Sequence, residues 1–478
     1  MSSISERVYL KSPVWLQKVA VATYGYWWYR QRFNKYFFRF VEQLSDNERL
    51  SSEEYLALQE VKLKHLLERS RKSPYYRRVF EALDVDFSES PFDILSRLPL
   101  LAKETLRTSG NQLITISPVP KGTRVFRSSG STGTPVEIYY TPEFHAFELA
   151  APEVRSLRWA KTDYQSRRVM FGARKVCAFE QDEPPFWRIS PVENMAYASI
   201  YHLSPQFIPH YLEFLRDYKP ELITGFPSAL LTVANFALEH GEWLPPPKAI
   251  ITTSEALTDL AKLRIQKAWN CRVYERYGAV EGCVLATECE KGRLHISPEV
   301  GIVEILNSEG EPVEPGETGE LVCTGLENTL QPLLRYRIGD MAQWAKNQRC
   351  ECGRTMPVIE SIEGRVEDLC YTRDGRQILR FDSVFKGVRK IREAQVVQEA
   401  IDLFAIRVVT ERGFGDREER QLEENVKLYI GDVRVDVQKV DQIDRGSSGK
   451  FEAVRCKLTK EEKLLLKQAN IDGKRSRG

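Results

Sequence analysis

The chain has 478 residues, enough for about three average domains or for one large domain and a small one. Its 69 Lys and Arg against 67 Asp and Glu leave a net charge of +2, which makes no case for nucleic acid or another polyanion as partner. Nine cysteines, among them the isolated Cys177, Cys271, Cys283, Cys323, Cys370 and Cys456, argue against a disulfide framework. With no apolar core behind the charged N-terminus and no bilayer-length apolar run, the expectation is a cytoplasmic protein without a transmembrane segment.

Residues 1–75 read as helical. The stretch 24–40 is crowded with Tyr, Trp, Phe and Arg, including Trp27, Trp28, Arg30, Arg32, Phe37 and Phe38. Two readings stay open for it: helices packed on the main body with Arg stems over aromatic faces, or a peripheral membrane element with aromatic anchors and basic flanks. Ser51 and Glu54 have capping-box spacing at the start of a helix with Tyr55, Leu58, Leu63 and Leu66 on its apolar face, and Pro74 ends it.

The segment Arg127-Ser128-Ser129-Gly130-Ser131-Thr132-Gly133-Thr134-Pro135 runs straight into alternating apolar residues at 136–140. Small residues let backbone amides approach a ligand, and hydroxyls add donors, a combination suited to phosphates. No Gly-Lys-Ser/Thr follows, so this is not a Walker loop. Alone it also reads as a hairpin turn.

From about 120 to 300, short apolar runs alternate with amphipathic stretches. Strands are expected at 169–171, 222–224 and 249–252, with helices from Ser228 and over about 258–269. That alternation is the pattern of a parallel sheet covered on both faces, whose ligands bind at the carboxyl ends of the strands. From about 300 to 365 the chain turns strand-rich, with antiparallel candidates at 301–306 and 319–324. The expected fold class is α/β. A helical region at 1–75 packs on a large domain of mixed, mainly parallel sheets at 76–366, and a small mobile α+β domain follows at 367–478.

Five further motifs follow the serine-rich segment in order: Ile251-Thr252-Thr253-Ser254-Glu255-Ala256-Leu257, Tyr277-Gly278-Ala279-Val280-Glu281-Gly282, Tyr336-Arg337-Ile338-Gly339-Asp340, Gly364-Arg365-Val366-Glu367-Asp368 and Ser448-Gly449-Lys450-Phe451. The series resembles the adenylate-forming enzyme superfamily of acyl-CoA synthetases, adenylation domains and luciferases, over roughly 126 to 454. The resemblance implies ATP, Mg²⁺ and a small carboxylic acid as ligands, and it implies roles. Ser128, Ser129, Gly130, Ser131, Thr132, Gly133 and Thr134 would wrap the β- and γ-phosphates. Val136 stands after Pro135 where the superfamily often has a Lys. Glu281 would hold Mg²⁺, Tyr277 and Gly278 would lie against the adenine, and Ser254 and Glu255 would line its pocket. Asp340 would accept hydrogen bonds from both ribose hydroxyls. Arg365 would reach the nucleotide from the domain junction. Lys450 would bridge the α-phosphate and the substrate carboxylate. Glu367 would be the hinge on which the small domain rotates between two half-reactions.

Three departures point to one branch: Gly225-Phe226-Pro227-Ser228-Ala229-Leu230, Tyr75-Tyr76-Arg77 and Cys350-Glu351-Cys352-Gly353-Arg354. They resemble the phenylacetate–CoA ligase family, and the aromatic N-terminus is similar to its relatives in capsular polysaccharide biosynthesis. Cys289 and His295 stand six apart, and Cys350 and Cys352 two apart. The branch suggests that these four form a closed structural zinc site; reduced, unliganded thiols are the alternative. Phe226, Pro227 and the segment with Phe171 and Arg174 would line the acid pocket, Arg174 either pairing with an anionic substituent or serving as a surface charge. The resulting expectation is a ligase that forms an acyl-AMP and passes the acyl group to coenzyme A. An amine acceptor, or a nucleotide-binding protein of surface polysaccharide assembly without catalysis, is the alternative. The acid and the oligomeric state are not set by the sequence.

Overall fold

The structure, a computed structural model, describes residues 8–127, 136–178, 180–365, 370–373, 377–378, 381–385, 388, 390–444, 451–459 and 461–466. Its strands are β1 (Arg124–Arg127), β2 (Glu137–Tyr140), β3 (Arg168–Gly172), β4 (Trp187–Ser190), β5 (Met195–Ser199), β6 (Leu222–Gly225), β7 (Ala249–Thr252), β8 (Val273–Gly278), β9 (Leu285–Glu288), β10 (Leu294–Ile296), β11 (Gly301–Leu306), β12 (Thr318–Gly325), β13 (Tyr336–Trp344) and β14 (Val358–Arg365). After these come β15 (Cys370–Tyr371), β16 (Gln377–Ile378), β17 (Ile391–Ala400), β18 (Leu403–Thr410), β19 (Arg434–Lys439) and β20 (Val454–Cys456).

One sheet of 12 strands runs β11-β12-β13-β14-β10-β9-β8-β7-β6-β3-β5-β4. The strands β5, β3, β6, β7 and β8 pair in parallel, as the alternating strand and helix pattern implied. From β8 onward every pairing in this sheet is antiparallel. The α/β class stands, but the large sheet is less parallel than expected. The physical reason is connection length: β8 to β14 are joined by turns and loops, and parallel neighbours need a helical crossover.

Local signals explain the helices on the parallel part. Pro227 opens the helix Pro227–His240 at its first turn, and Gly241 closes it at φ 65°. The Thr258 hydroxyl caps the helix Asp259–Trp269 by accepting from the Ala261 amide. Together with the helix Ile208–Tyr218, these bury Leu212, Leu230, Val233, Ile265 and Trp269 against Val169, Ile223 and Ile250 of the strands. A second core joins Leu63, Leu66, Leu67, Tyr76 and Phe80 to Ile138, Ala286, Ile338 and Ala342.

The capping box is present: the Ser51 hydroxyl accepts from the Glu54 amide, and Glu54 accepts from the Ser51 amide at 2.7 Å. Its helix ends at Ser70, before Pro74. Pro74 instead starts a new helix, Pro74–Ala82, where the missing N–H is harmless. The helix Val14–Arg32 packs along β4 at the sheet's edge. There Arg188 donates to Gln17 through Nε at 2.9 Å and Nη2 at 2.5 Å. Gly25 permits that approach, since a Cβ there would meet Ser190 Oγ at 2.2 Å. Guanidinium groups lie over an aromatic face here, that of Arg32 4.6 Å and that of Arg124, from β1, 4.2 Å from the Trp28 ring centre. No helix among the described residues is long and apolar enough to cross a membrane.

The C-terminal body holds a four-stranded mixed sheet, β19-β18-β17-β20, with the helix Asp416–Ile430 burying Leu422, Val426 and Ile430 on it. It touches the large body through the helices that follow β6 and β7. Arg264 pairs with Glu411 at 2.5 Å, and Arg392 with Glu239 at 2.5 Å.

Candidate active site and a cysteine–histidine cluster

After β6 the backbone turns sharply at Gly225. A Cβ there would meet the Phe171 carbonyl oxygen at 2.5 Å, so only glycine lets β6 lie this close to β3. The Phe226 amide then donates to that same carbonyl at 3.0 Å, and Phe226 and Pro227 are buried at the start of the next helix. After β7, Ser254 takes φ 72°, a left-handed conformation that a non-glycine residue holds only under local constraint. The neighbouring Glu255 explains the constraint. Its carboxylate accepts from the Ser228 amide and the Ser228 hydroxyl, both at 3.1 Å, at the N-terminus of a helix. It also accepts from the Phe451 amide at 2.7 Å. One carboxylate thus joins the turn after β6, the loop after β7 and the C-terminal motif.

Tyr277 stands near the end of β8 and donates to Asp340 Oδ2 at 2.5 Å. Burial first, then the Asp340 carboxylate, pushes its phenol well above the usual range, so it stays a neutral donor. Asp340 lies on β13 directly opposite Arg365 of β14. Glu281 is 4 % exposed, accepts from the Tyr336 hydroxyl at 3.1 Å, and has the Lys103 ammonium at 3.8 Å. Tyr140 of β2 donates to the Val280 carbonyl at 2.7 Å. The β1–β2 hairpin that carries the serine-rich segment is therefore anchored beside Glu281, and Arg127 and Glu137 pair at its base at 2.7 Å.

The structure brings together Ser228, Glu255 and Phe451 in one set of contacts, with Ser254 next to Glu255 along the chain, and Tyr277 with Asp340 in another. Residues 128–134, Glu367 and Lys450 lie outside the described residues. Phe171 is fully buried in the core near Tyr211, and the Arg174 guanidinium lies 4.6 Å from the Tyr197 ring centre.

Two residues at this site went unread in the sequence. Tyr336 stands in the motif that ends in Asp340, four residues before it, and its hydroxyl was the available signal. Lys103 carried none, because its segment has no motif.

A second constellation lies where β9, β10 and the loop before β14 meet. One ligand atom each from Cys289, His295, Cys350 and Cys352 lies within 4.8 Å of all the others. Cys289 Sγ and Cys350 Sγ are 3.7 Å apart, and Cys352 Sγ is 3.4 Å from His295 Nε2. A tetrahedral ion with bonds of about 2.0–2.3 Å sets its ligands about 3.4–3.8 Å apart, so the set fits a metal. His295 Nδ1 lies 3.1 Å from the Met356 carbonyl, which fixes Nδ1 as the donor and leaves the Nε2 lone pair toward the sulfurs. The Lys291 amide donates to Cys289 Sγ at 3.4 Å.

A family model described as AMP-binding enzyme matches residues 195–330, and one described as CapK C-terminal domain matches 370–457. The protein CapK of Staphylococcus aureus is 25% identical over 414 residues, covering 84% of this chain and 88% of its own. A phenylacetate-coenzyme A ligase of Thermus thermophilus is 28% identical over 343 residues, covering 68% and 74%. A crystal structure of 2-hydroxyisobutyryl-CoA ligase in its postadenylation state with 2-HIB-AMP superposes with a TM-score of 0.66 at 22% identity, covering 89% of this chain and 94% of its own, and shows the common fold. The chain belongs to the AMP-binding, adenylate-forming superfamily and is an adenylate-forming enzyme related to coenzyme A ligases. Within that class it is similar to CapK and to the phenylacetate-coenzyme A ligases.

Proposed function

We propose that this enzyme is an ATP-dependent acid–thiol ligase. The carboxylate of a small acid attacks the α-phosphorus of ATP, pyrophosphate leaves, and the acyl-AMP then passes its acyl group to the thiol of coenzyme A. The observation that carries the reading is the joining of separated motifs: Tyr277 on Asp340, Glu281 under the β1–β2 hairpin, and Glu255 on the backbone of Phe451. Such a reaction is accelerated by positioning and charge neutralisation; the joined motifs would supply the positioning, and Lys450 and Arg365 the positive charge.

Asp340 would exchange the Tyr277 hydroxyl for the ribose hydroxyls, and Tyr277 would turn its ring to the adenine. The segment 128–134 would hold the β- and γ-phosphates with Ser, Thr and backbone donors. Lys450, next to Phe451, would place its ammonium between the α-phosphate and the acid, and Arg365 would complete the charge. Glu281 would hold a hard divalent cation, and Mg²⁺ bound there would supply neutralisation of phosphate charge. Phe226 and Pro227 would bound the acid, with Phe171 behind them and Arg174 at the rim. Glu367 would be the hinge for the second half-reaction. In the Cys289, His295, Cys350 and Cys352 cluster the bound ion would be zinc, with a structural role.

The test is acid-dependent exchange of pyrophosphate into ATP over a panel of carboxylic acids. Exchange that collapses in Lys450→Ala supports adenylation. Release of a thioester with coenzyme A, and none of an amide with amines, supports the thiol acceptor. ATP binding without exchange for any acid would overturn the reading.

A further inference from the structure

The helix Val14–Arg32 is apolar on two sides, and only one of them is buried. Residues 17, 21, 25, 28 and 32 repeat at helical spacing and face β4, where Gln17, Gly25 and Trp28 are buried. On the opposite side stand Trp15, Leu16, Val19, Tyr26 and Trp27, with Arg30 in line. Trp15 is 66%, Val19 51%, Tyr26 52% and Trp27 49% exposed. From Trp15 to Trp27 the stripe is about 18 Å long. A helix with apolar residues on its outer side as well as its buried one belongs inside a protein or at a lipid boundary, and this one lies on the outside of the sheet.

Charge identifies the cover. Between Val8 and Val41 there are six cations, Lys11, Lys18, Arg30, Arg32, Lys35 and Arg39, and no acidic residue. Arg32 and Arg39 are matched by Glu193 and Glu143 from elsewhere in the chain. Lys11, Lys18, Arg30 and Lys35 are exposed. A second copy meeting this face about a two-fold axis would set like charges against each other. A bilayer with anionic headgroups meets both properties: Trp and Tyr settle at the headgroup level, and cations are drawn to the surface. The face is also rigid before any contact, because Gln17 on Arg188, Gly25 against Ser190 and Arg32 on Glu193 fix the helix to the body.

We infer that the outer face of the helix Val14–Arg32 is a docking surface for an anionic phospholipid bilayer. The helix lies in the interface plane, Trp15, Val19, Tyr26 and Trp27 enter the headgroup layer, and Lys11, Lys18 and Arg30 meet lipid phosphates. The enzyme is thereby held at a membrane without spanning it.

The test is co-sedimentation of the full chain with vesicles of phosphatidylcholine alone and of phosphatidylcholine with phosphatidylglycerol, at low and high salt. The expected result is retention on the anionic vesicles, release by salt, and little retention on the neutral ones. Trp15→Ser with Trp27→Ser should lower the partition at least tenfold. Lys18→Gln with Arg30→Gln should lower it about fivefold for each cation removed. Trp243→Ser, which alters an exposed tryptophan elsewhere, should change nothing. Equal retention on both vesicle types, no retention on either, or a Trp243→Ser effect as large as the paired one overturns the proposal. So does a dimer in sedimentation velocity that the tryptophan pair abolishes while vesicles go unbound. Unchanged far-ultraviolet circular dichroism and thermal unfolding in each variant show that the fold is intact.

Discussion

At the scale of single residues, the environment of Glu281 sets apart a neighbour that the proposed reaction does not use. The Glu148 carboxyl abuts the backbone beside Glu281, for a Cβ at Gly282 would lie 3.1 Å from Glu148 Oε1. Burial, then the charge of Glu327, pushes its pKa from 4.5 up to about 8. The sign follows from linkage: the folded state holds this proton more tightly than the unfolded chain. The stability Glu148 contributes is therefore complete below about 4.5 and is lost as pH rises to about 8. Thermal unfolding followed from pH 5 to pH 8 should fall more steeply in the wild type than in Glu148→Gln, by at most about 1.4 kcal/mol per pH unit. Parallel curves would show that the carboxyl is ionised throughout. Sequence gave no hint of this group, since its burial comes from tertiary packing. Tyr277 and Asp340, by contrast, were legible because their neighbours along the chain mark them. What no local pattern could say is that the two touch.

At the scale of elements, legibility followed local chemistry. The Ser51 capping box and the parallel strands β3, β6 and β7 were readable, since each is set by a side chain near its own backbone or by a run of apolar residues. The pair β4 and β5 was not, because the 187–190 stretch is short and its partner for Arg188 is Gln17, far off in sequence. Pro74 was read as a stop, yet it starts the next helix; the residue tolerates only a first turn, and both outcomes put it at a boundary. The two cysteine and histidine pairs stand out in the sequence, where the resemblance to the branch implies a metal site, and the structure gathers the four side chains closely enough to hold a single ion. An ion bound there would clip the β9–β10 hairpin to the loop at 350–353, beside which Arg354 pairs with Glu48 at 2.9 Å and Glu290 at 2.8 Å. Protein purified without added metal should carry about one equivalent of zinc. Cys350→Ser with Cys352→Ser should lose it and unfold at lower temperature, by elemental analysis and calorimetry. Metal-free protein of undiminished stability would end the zinc assignment.

At the scale of the whole molecule, the two proposed half-reactions would call for two arrangements of the bodies, and the contacts between them fit the first. The Phe451 amide on Glu255 sets the C-terminal motif beside the loops after β6 and β7, the position from which its neighbour Lys450 would serve adenylation. Arg264 with Glu411 and Arg392 with Glu239 hold the small body there, helped by Asn235 donating to the Arg392 carbonyl at 3.3 Å. No motif announced these pairs; they join helices of the large body to β17 and the turn after β18, and surface charges of this kind look alike in sequence. Each partly exposed ion pair is worth about 0.2–1 kcal/mol, so the two together bias the equilibrium by about 1 kcal/mol. A ligand or mutation shifts such an equilibrium only through its preference for one arrangement. Glu239→Gln with Glu411→Gln should therefore lower pyrophosphate exchange by about fivefold. On the proposed mechanism, thioester formation from supplied acyl-AMP should hold steady or rise, because that half-reaction would use the small body turned away. An equal fall in both half-reactions would mean that the pairs stabilise the fold in general and do not select this arrangement.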